Sequence, residues 1–294
     1  MKQLEGTGVA LVTPFNRKLE IDFPSLKRLI NHTAKGVDYY VVMGTTGESV
    51  TVTAEEKKAV LRFVKENNSA KLPVVYGIGG NNTQAVLDTI RSTEFKGVDA
   101  VLSVSPYYNK PSQEGIVQHF KAIADACPVP VILYNVPGRT SSNLSAETTL
   151  RLAKHPNIIG IKEASGNLEQ CMKISKHMPR NFLLISGDDL LTVPLYSIGA
   201  RGVISVLANA FPVVFKQMKE SVFTGDYRSA QTALFKLLEI NGPMYEEGNP
   251  VGVKQVLQEL AICKNSVRLP LVPASLGLQK KIQAILQASK MKKG

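Results

Sequence analysis

The stretch "FKGVDAVLS" occupies residues 95–103, and a near copy, "AKGVDYYVV", occupies residues 34–42. In each, a Lys-Gly pair closes a segment of helical periodicity, and an apolar, β-rich run begins a few residues later. The pair reads as one unit, helix then stop then strand, used more than once. The segments before it, "PSLKRLINHTAKG" (24–36) and "LDTIRSTEFKG" (87–97), are expected to stop at Gly36 and Gly97 in left-handed C-caps.

Working outward, runs of the same kind recur: "GVALVT" at 8–13, "YYVVMG" at 39–44, "PVVYGI" at 73–78 and "AVLSVS" at 100–105. They continue with "VPVILYN" at 129–135, "IIGIK" at 158–162, "FLLIS" at 182–186 and "RGVISV" at 201–206. Each spacing leaves room for a helix, and "TAEEKKAVLRFVKENN" shows one, opening with Thr53 and Glu56 at capping-box spacing. Strands with no polar face, each followed by a helix, imply a parallel sheet covered on its faces. Eight regular units favour an α/β fold closed as a (β/α)8 TIM barrel. The barrel is expected over residues 1–225, followed by a C-terminal helical region over 226–294 with an irregular connection at "SVRLPLVPAS".

Composition narrows the function. The chain has 294 residues, 44% hydrophobic and 20% charged, which is globular composition. No apolar run approaches the roughly 18 residues of a membrane span. The start, "MKQLEGTGVA", reads as no secretory signal. Cys127, Cys171 and Cys263 are scattered and odd in number, which fits a reducing, cytoplasmic setting and no disulfide scaffold. Four histidines (His32, His119, His155, His177) lack metal-motif spacing, so no metal and no cofactor are expected. The net charge of +11 is spread along the chain, from "EEKK" to the tail "SKMKKG", and is not interleaved with aromatics. That pattern reads as a solvated basic face ahead of a nucleic-acid site.

In such barrels the carboxyl ends of the strands form the mouth of the active site. Here those ends carry Thr45, Thr46, Tyr107, Tyr108, Tyr134, Arg139, Lys162 and Asp188. Lys162 is the odd residue in "NIIGIKEASG" (157–166), a segment otherwise built to be buried. Burial disfavours an ammonium, and the neutral amine is the nucleophile that forms Schiff bases with carbonyl carbons. The plainer alternative is that Lys162 reaches the rim or pairs with Glu163, although successive strand residues point to opposite faces. Tyr134 suits a proton relay or plain packing, and Arg139 a carboxylate or a surface loop. "GTTGES" lacks the ending of a phosphate loop and "GIGGNN" fails the dinucleotide pattern. The "GTT" amides suit a carboxylate, or form an ordinary turn.

Taken in order, "GTTGES", "YYNKPSQEG", "YNVPGRT", "IIGIKEASGN", "SGDD", "GVISV", "NPVGVK" and "RLPLVP" resemble the dihydrodipicolinate synthase family. That family lies among the pyruvate-dependent class I aldolases, with N-acetylneuraminate lyase. The resemblance implies a Schiff base of pyruvate on Lys162 and a proton relay of Thr45, Tyr134 and Tyr108, the last reaching into a neighbouring subunit. It implies that the Thr45 and Thr46 backbone holds the pyruvate carboxylate and that Arg139 holds L-aspartate 4-semialdehyde. Gly187 and Ile204 would line the pocket through their carbonyls. It further implies a homotetramer of two tight dimers and the diaminopimelate route to lysine. Arg139 favours the semialdehyde over the polyhydroxylated aldehydes of the related sugar-acid lyases. A non-catalytic barrel that binds anions or nucleic acid is the alternative of another class.

Ser49, Asn81 and Tyr107 match positions of the family's lysine-inhibition site. Ala54, Lys57 and Ala85 stand where sensitive members place two histidines and a glutamate. An added ammonium and a missing carboxylate oppose the amino groups of lysine, so weak or absent inhibition is expected. Gly252 and Ala261 depart from a family Pro and a helix-stopping Gly, both in the helical tail.

Overall fold

The computed structural model describes residues 2–289. The expected strands are all present: β1 (Gly6–Ala10), β2 (Tyr39–Val42), β3 (Val74–Gly77), β4 (Ala100–Val104), β5 (Val131–Asn135), β6 (Ile158–Glu163), β7 (Leu183–Ser186) and β8 (Gly202–Ser205). They follow one another in sequence order around a closed barrel, with parallel pairing of β1 with β2 and of each successive pair from β3 to β8. β1, β2, β5, β6, β7 and β8 are buried at every residue, which is why their runs lack alternation. Each Val, Leu or Ile so buried contributes about 1.5–3 kcal/mol relative to exposure.

Two compact units make up the chain, residues 2–6 with Pro73–Ile204 and Thr7–Leu72 with residues 205–289. The first holds β3 to β8 and the helices Thr83–Arg91, Gln113–Ala126, Ala146–Leu152, Leu168–His177 and Thr192–Ser197. The second holds β1 and β2 with Phe23–Thr33, Ala54–Asn67 and Pro212–Phe223. It also contains the C-terminal helices Tyr227–Phe235, Leu238–Tyr245, Val251–Glu259 and Leu276–Ala288. Residues 264–275 form the expected irregular connection, whereas 290–294, including most of "SKMKKG", lie outside the described residues. Among the described residues no helix is long and apolar enough to cross a membrane.

The twin junctions share one device. Asp99 N–H donates to Val74 O at 2.8 Å, and the Asp99 carboxylate accepts from Val74 N–H at 2.8 Å. Asp38 does the same with Thr7, at 2.7 Å in each direction. The expected glycine caps are corrected by the structure. Helix Phe23–Thr33 ends through right-handed Ala34, and Gly36 is needed for close approach, since a Cβ there would lie 2.2 Å from Pro212 O. Helix Thr83–Arg91 ends well before Gly97: Thr93 N–H turns to Ile90 O, three residues back, and the Ser92 and Thr93 hydroxyls both donate to Thr89 O. Gly97 is left-handed, at φ 75°, but in the turn before β4. The capping box is present: Thr53 Oγ1 accepts from Glu56 N–H, and Glu56 Oε2 from Thr53 N–H.

One irregularity sets the site. Between β5 and β6, Val131 pairs with Ile158 but Ile132 pairs with Gly160, so the register slips at Ile159. Beyond the slip Tyr134 pairs with Lys162 and Asn135 with Glu163. An unbroken register would have set Tyr134 beside Ile161, and a slip of one residue exchanges the faces.

Candidate active site

In the first unit, Lys162 is the penultimate residue of the buried strand β6 and is 5% exposed. Its Nζ lies over the Tyr134 ring, 4.4 Å from the centroid. No ion pair joins Lys162 to Glu163, whose carboxylate is taken by Asn135, Gln170 and the Ser165 N–H. The alternation of the strand thus separates the two charges, as the sequence implied.

Gly187 follows β7 and donates its N–H to Glu163 O at 2.7 Å. A Cβ at Gly187 would lie 2.6 Å from Ala164 Cβ and 3.1 Å from Lys162 Cε, so the missing side chain leaves room beside the amine. Ile204 is fully buried in β8. Asp188 is spent on its own turn, with Oδ1 accepting from the N–H groups of Leu190 and Leu191. Arg139 sits exposed on the one-turn helix Pro137–Thr140, and no hydrogen bond or ion pair holds its guanidinium among the described residues. Tyr107 and Asn81 are brought together, Asn81 Nδ2 donating to Tyr107 O at 3.1 Å. Tyr108 is 87% exposed on a left-handed backbone at φ 72°.

In the second unit, Thr45–Gly47 forms a 3₁₀ turn capped by Gly44. Turns of this kind leave their first N–H groups without internal partners. Those of Thr45 and Thr46 have no hydrogen-bond acceptor among the described residues. The turn is held from three directions. Thr13 Oγ1 donates to Gly47 O at 2.7 Å, and Asn249 Nδ2 donates to Thr46 Oγ1 at 3.0 Å. Glu48, left-handed at φ 53°, accepts from Lys254 Nζ at 2.5 Å and from Arg268 N–H at 3.0 Å. Lys254 is fully buried against the Phe15 ring, and burial pushes its ammonium down. Ser49 follows the turn, half-buried, and burial also lowers the Lys57 ammonium.

The sequence reading missed this brace and the Glu163 network. A visible signal for the first was Lys254, a cation inside the apolar helix Val251–Glu259. For the second it was the polar pair Asn135 and Glu163 closing two strands that, Lys162 aside, are apolar or aromatic.

A closed parallel barrel with a buried amine against a phenol at the carboxyl ends of its strands has the architecture of an enzyme barrel. Residues 3–289 match the Dihydrodipicolinate synthetase family, and the chain belongs to it. A 4-hydroxy-tetrahydrodipicolinate synthase of Cytophaga hutchinsonii is 53% identical over 284 residues, covering 96% of each chain. The crystal structure of dihydrodipicolinate synthase from Thermotoga maritima superposes with a TM-score of 0.95 at 36% identity, covering 98% of this chain and 99% of that one. The enzyme from Cyanidioschyzon merolae, solved with lysine bound, gives a TM-score of 0.94 at 37% identity, with 98% and 99% covered.

Proposed function

We propose that the chain is a 4-hydroxy-tetrahydrodipicolinate synthase, condensing pyruvate with L-aspartate 4-semialdehyde on the diaminopimelate route to lysine. The observation that carries this reading is the Lys162 amine, buried on β6 and in contact with the Tyr134 ring. The amine attacks C2 of pyruvate, and the carbinolamine loses water to give the imine. Tyr134, Thr45 and Tyr108 move the protons between amine, carbinolamine and water. Loss of a C3 proton gives the enamine, whose carbon bonds to the aldehyde carbon of the semialdehyde. The amino group of that substrate then attacks C2, Lys162 leaves, and the ring closes.

The open Thr45 and Thr46 amides take the pyruvate carboxylate, and the uncommitted Arg139 fork takes that of the semialdehyde. Gly187 and Ile204 contribute pocket wall. The exposure and strained backbone of Tyr108 support its reaching a neighbouring subunit in a homotetramer of two tight dimers. Sedimentation showing a monomer at assay concentration would remove that role. Buried free thiols at Cys127, Cys171 and Cys263 support a cytoplasmic setting, which cell fractionation checks. Lys57, with no carboxylate at Ala85, supports weak or absent inhibition by lysine.

The test is borohydride reduction in the presence of pyruvate, read by mass spectrometry on wild type and Lys162→Ala. A pyruvate-sized adduct is expected on wild type alone, and no adduct on folded wild type removes the mechanism. A semialdehyde assay of Arg139→Ala then reads the second substrate, with a raised KM expected. Lysine added to that assay is expected to inhibit little, and strong sub-millimolar inhibition would refute the reading of Lys57.

A further inference from the structure

Behind Lys162 and Tyr134, on the opposite face of the same two strands, lies a buried polar network built around one carboxylate. Glu163 is 2% exposed and Asn135 fully buried. Asn135 Nδ2 donates to both Glu163 oxygens, at 3.2 and 3.0 Å. Gln170 Nε2 donates to Oε2 at 2.8 Å, and the Ser165 N–H to Oε1 at 2.7 Å. Among the described residues no cation pairs with this carboxylate. Burying an anion costs several kcal/mol, so the four contacts must offset a large desolvation.

The network joins the two strands that carry Tyr134 and Lys162 to the segments beside Arg139 and Gly187. Asn135 adjoins Tyr134 and Glu163 adjoins Lys162, and the two are register partners across β5 and β6. Asn135 Oδ1 accepts from Leu144 N–H at 2.9 Å, and Asn143 Nδ2 donates to Gln170 Oε1 at 2.9 Å. Those bonds fix the segment that follows Arg139. The Glu163 carbonyl accepts the N–H of Gly187.

We propose that Glu163 is a positioning residue, whose carboxylate locks β5 and β6 in the slipped register and so aims the Lys162 amine along Tyr134. The role rests on the Schiff-base reading above. It requires a carboxylate, because every group facing Glu163 is an N–H donor and a carboxylate only accepts. An amide in its place turns an NH2 toward the Gln170 donor or, flipped, toward the Ser165 N–H. Neither side chain touches the reacting atoms, so their effect passes through the strand ends.

The experiment is the time course of borohydride trapping at several pyruvate concentrations, on the full chain. The variants are E163Q, Q170A and the exchange E163Q/Q170E, with Lys162→Ala as blank and thermal melts fixing a temperature at which each is folded. E163Q is expected to trap about tenfold to a hundredfold more slowly at saturating pyruvate, with the half-saturating concentration little changed. The exchange, which returns a facing donor and acceptor, is expected to recover most of that loss. A merely structural role would lower the melting temperature and leave the trapping rate of folded protein intact. Trapping by folded E163Q at the wild-type rate overturns the proposal, as does an exchange variant no faster than E163Q. If E163Q does not fold, Q170A decides: slower trapping at saturation supports the clamp and the wild-type rate overturns it. No adduct on wild type removes the Schiff-base reading and this role together, whereas a normal wild type with a normal E163Q removes this role alone.

Discussion

Lys162 is unusual less for being buried than for what surrounds its last carbon. The Tyr134 ring lies against its amine, and at Gly187 the absence of a Cβ keeps the wall open beside Cε. Adding a methyl there brings it to 2.6 Å from Ala164 Cβ, which is anchored to the backbone and yields little. Gly187→Ala is therefore expected to stay folded and to trap pyruvate at least about tenfold more slowly, because small misplacements of a reacting group are costly. Wild-type trapping kinetics in that variant would mean that the wall is not what positions the amine. The lysine itself was legible from a single feature, a cation inside "IIGIK". Gly187 was legible only through the resemblance, since nothing local distinguishes it from a turn glycine.

Among the elements, the helix Val251–Glu259 shows how a departure noticed in the sequence acquires a physical meaning. The helix ends in a Schellman motif: Ile262 N–H donates to Leu257 O and Ala261 N–H to Gln258 O. The left-handed position, at φ 57°, is Ala261, where a glycine would carry no Cβ penalty. Ala261→Gly is expected to stabilise the protein by roughly 1 kcal/mol, read as a higher denaturant midpoint. An unchanged or lower midpoint would show that the chain has relaxed around the methyl. The same helix carries Lys254, whose bonds to Glu48 and to Ser266 O tie it to the 3₁₀ turn and the irregular segment after it. The sequence marked this segment as helical, but whether its lysine is solvated or buried depends on a partner 206 positions away.

Across the chain, acid is expected to be the weak side. Burial pushes the His119 imidazole down to about 4, with Nδ1 bonded to Thr83 Oγ1 and Nε2 without a partner among the described residues. The unfolded chain takes up that proton near 6.5 and the fold only near 4. Stability therefore falls as pH drops through this window, by on the order of 3 kcal/mol. The Arg268 guanidinium holds the Glu56 carboxyl down to about 2, so its contribution is present above 4.5 and is lost as pH falls toward 2. Melting temperatures are expected to decline between pH 6.5 and 4, and His119→Asn to flatten that slope. An equal slope in the variant would place the acid sensitivity elsewhere.

Local chemistry in the sequence carried the barrel: unbroken β-branched runs, helical intervals and capping residues act over a few positions, so they survive without knowledge of the fold. It carried Lys162 as well, because a charge in a dry segment is anomalous wherever that segment ends up. The contact of Lys162 with Tyr134 was beyond its reach. That pairing depends on the slip at Ile159, and register is a property of two strands together. Gly36 was misread for a similar reason, since the backbone it makes room for belongs to Pro212. The Lys254 brace joins residues 206 positions apart and the Glu163 network joins two neighbouring strands, and the burial that gives both their energy exists only once the chain has folded.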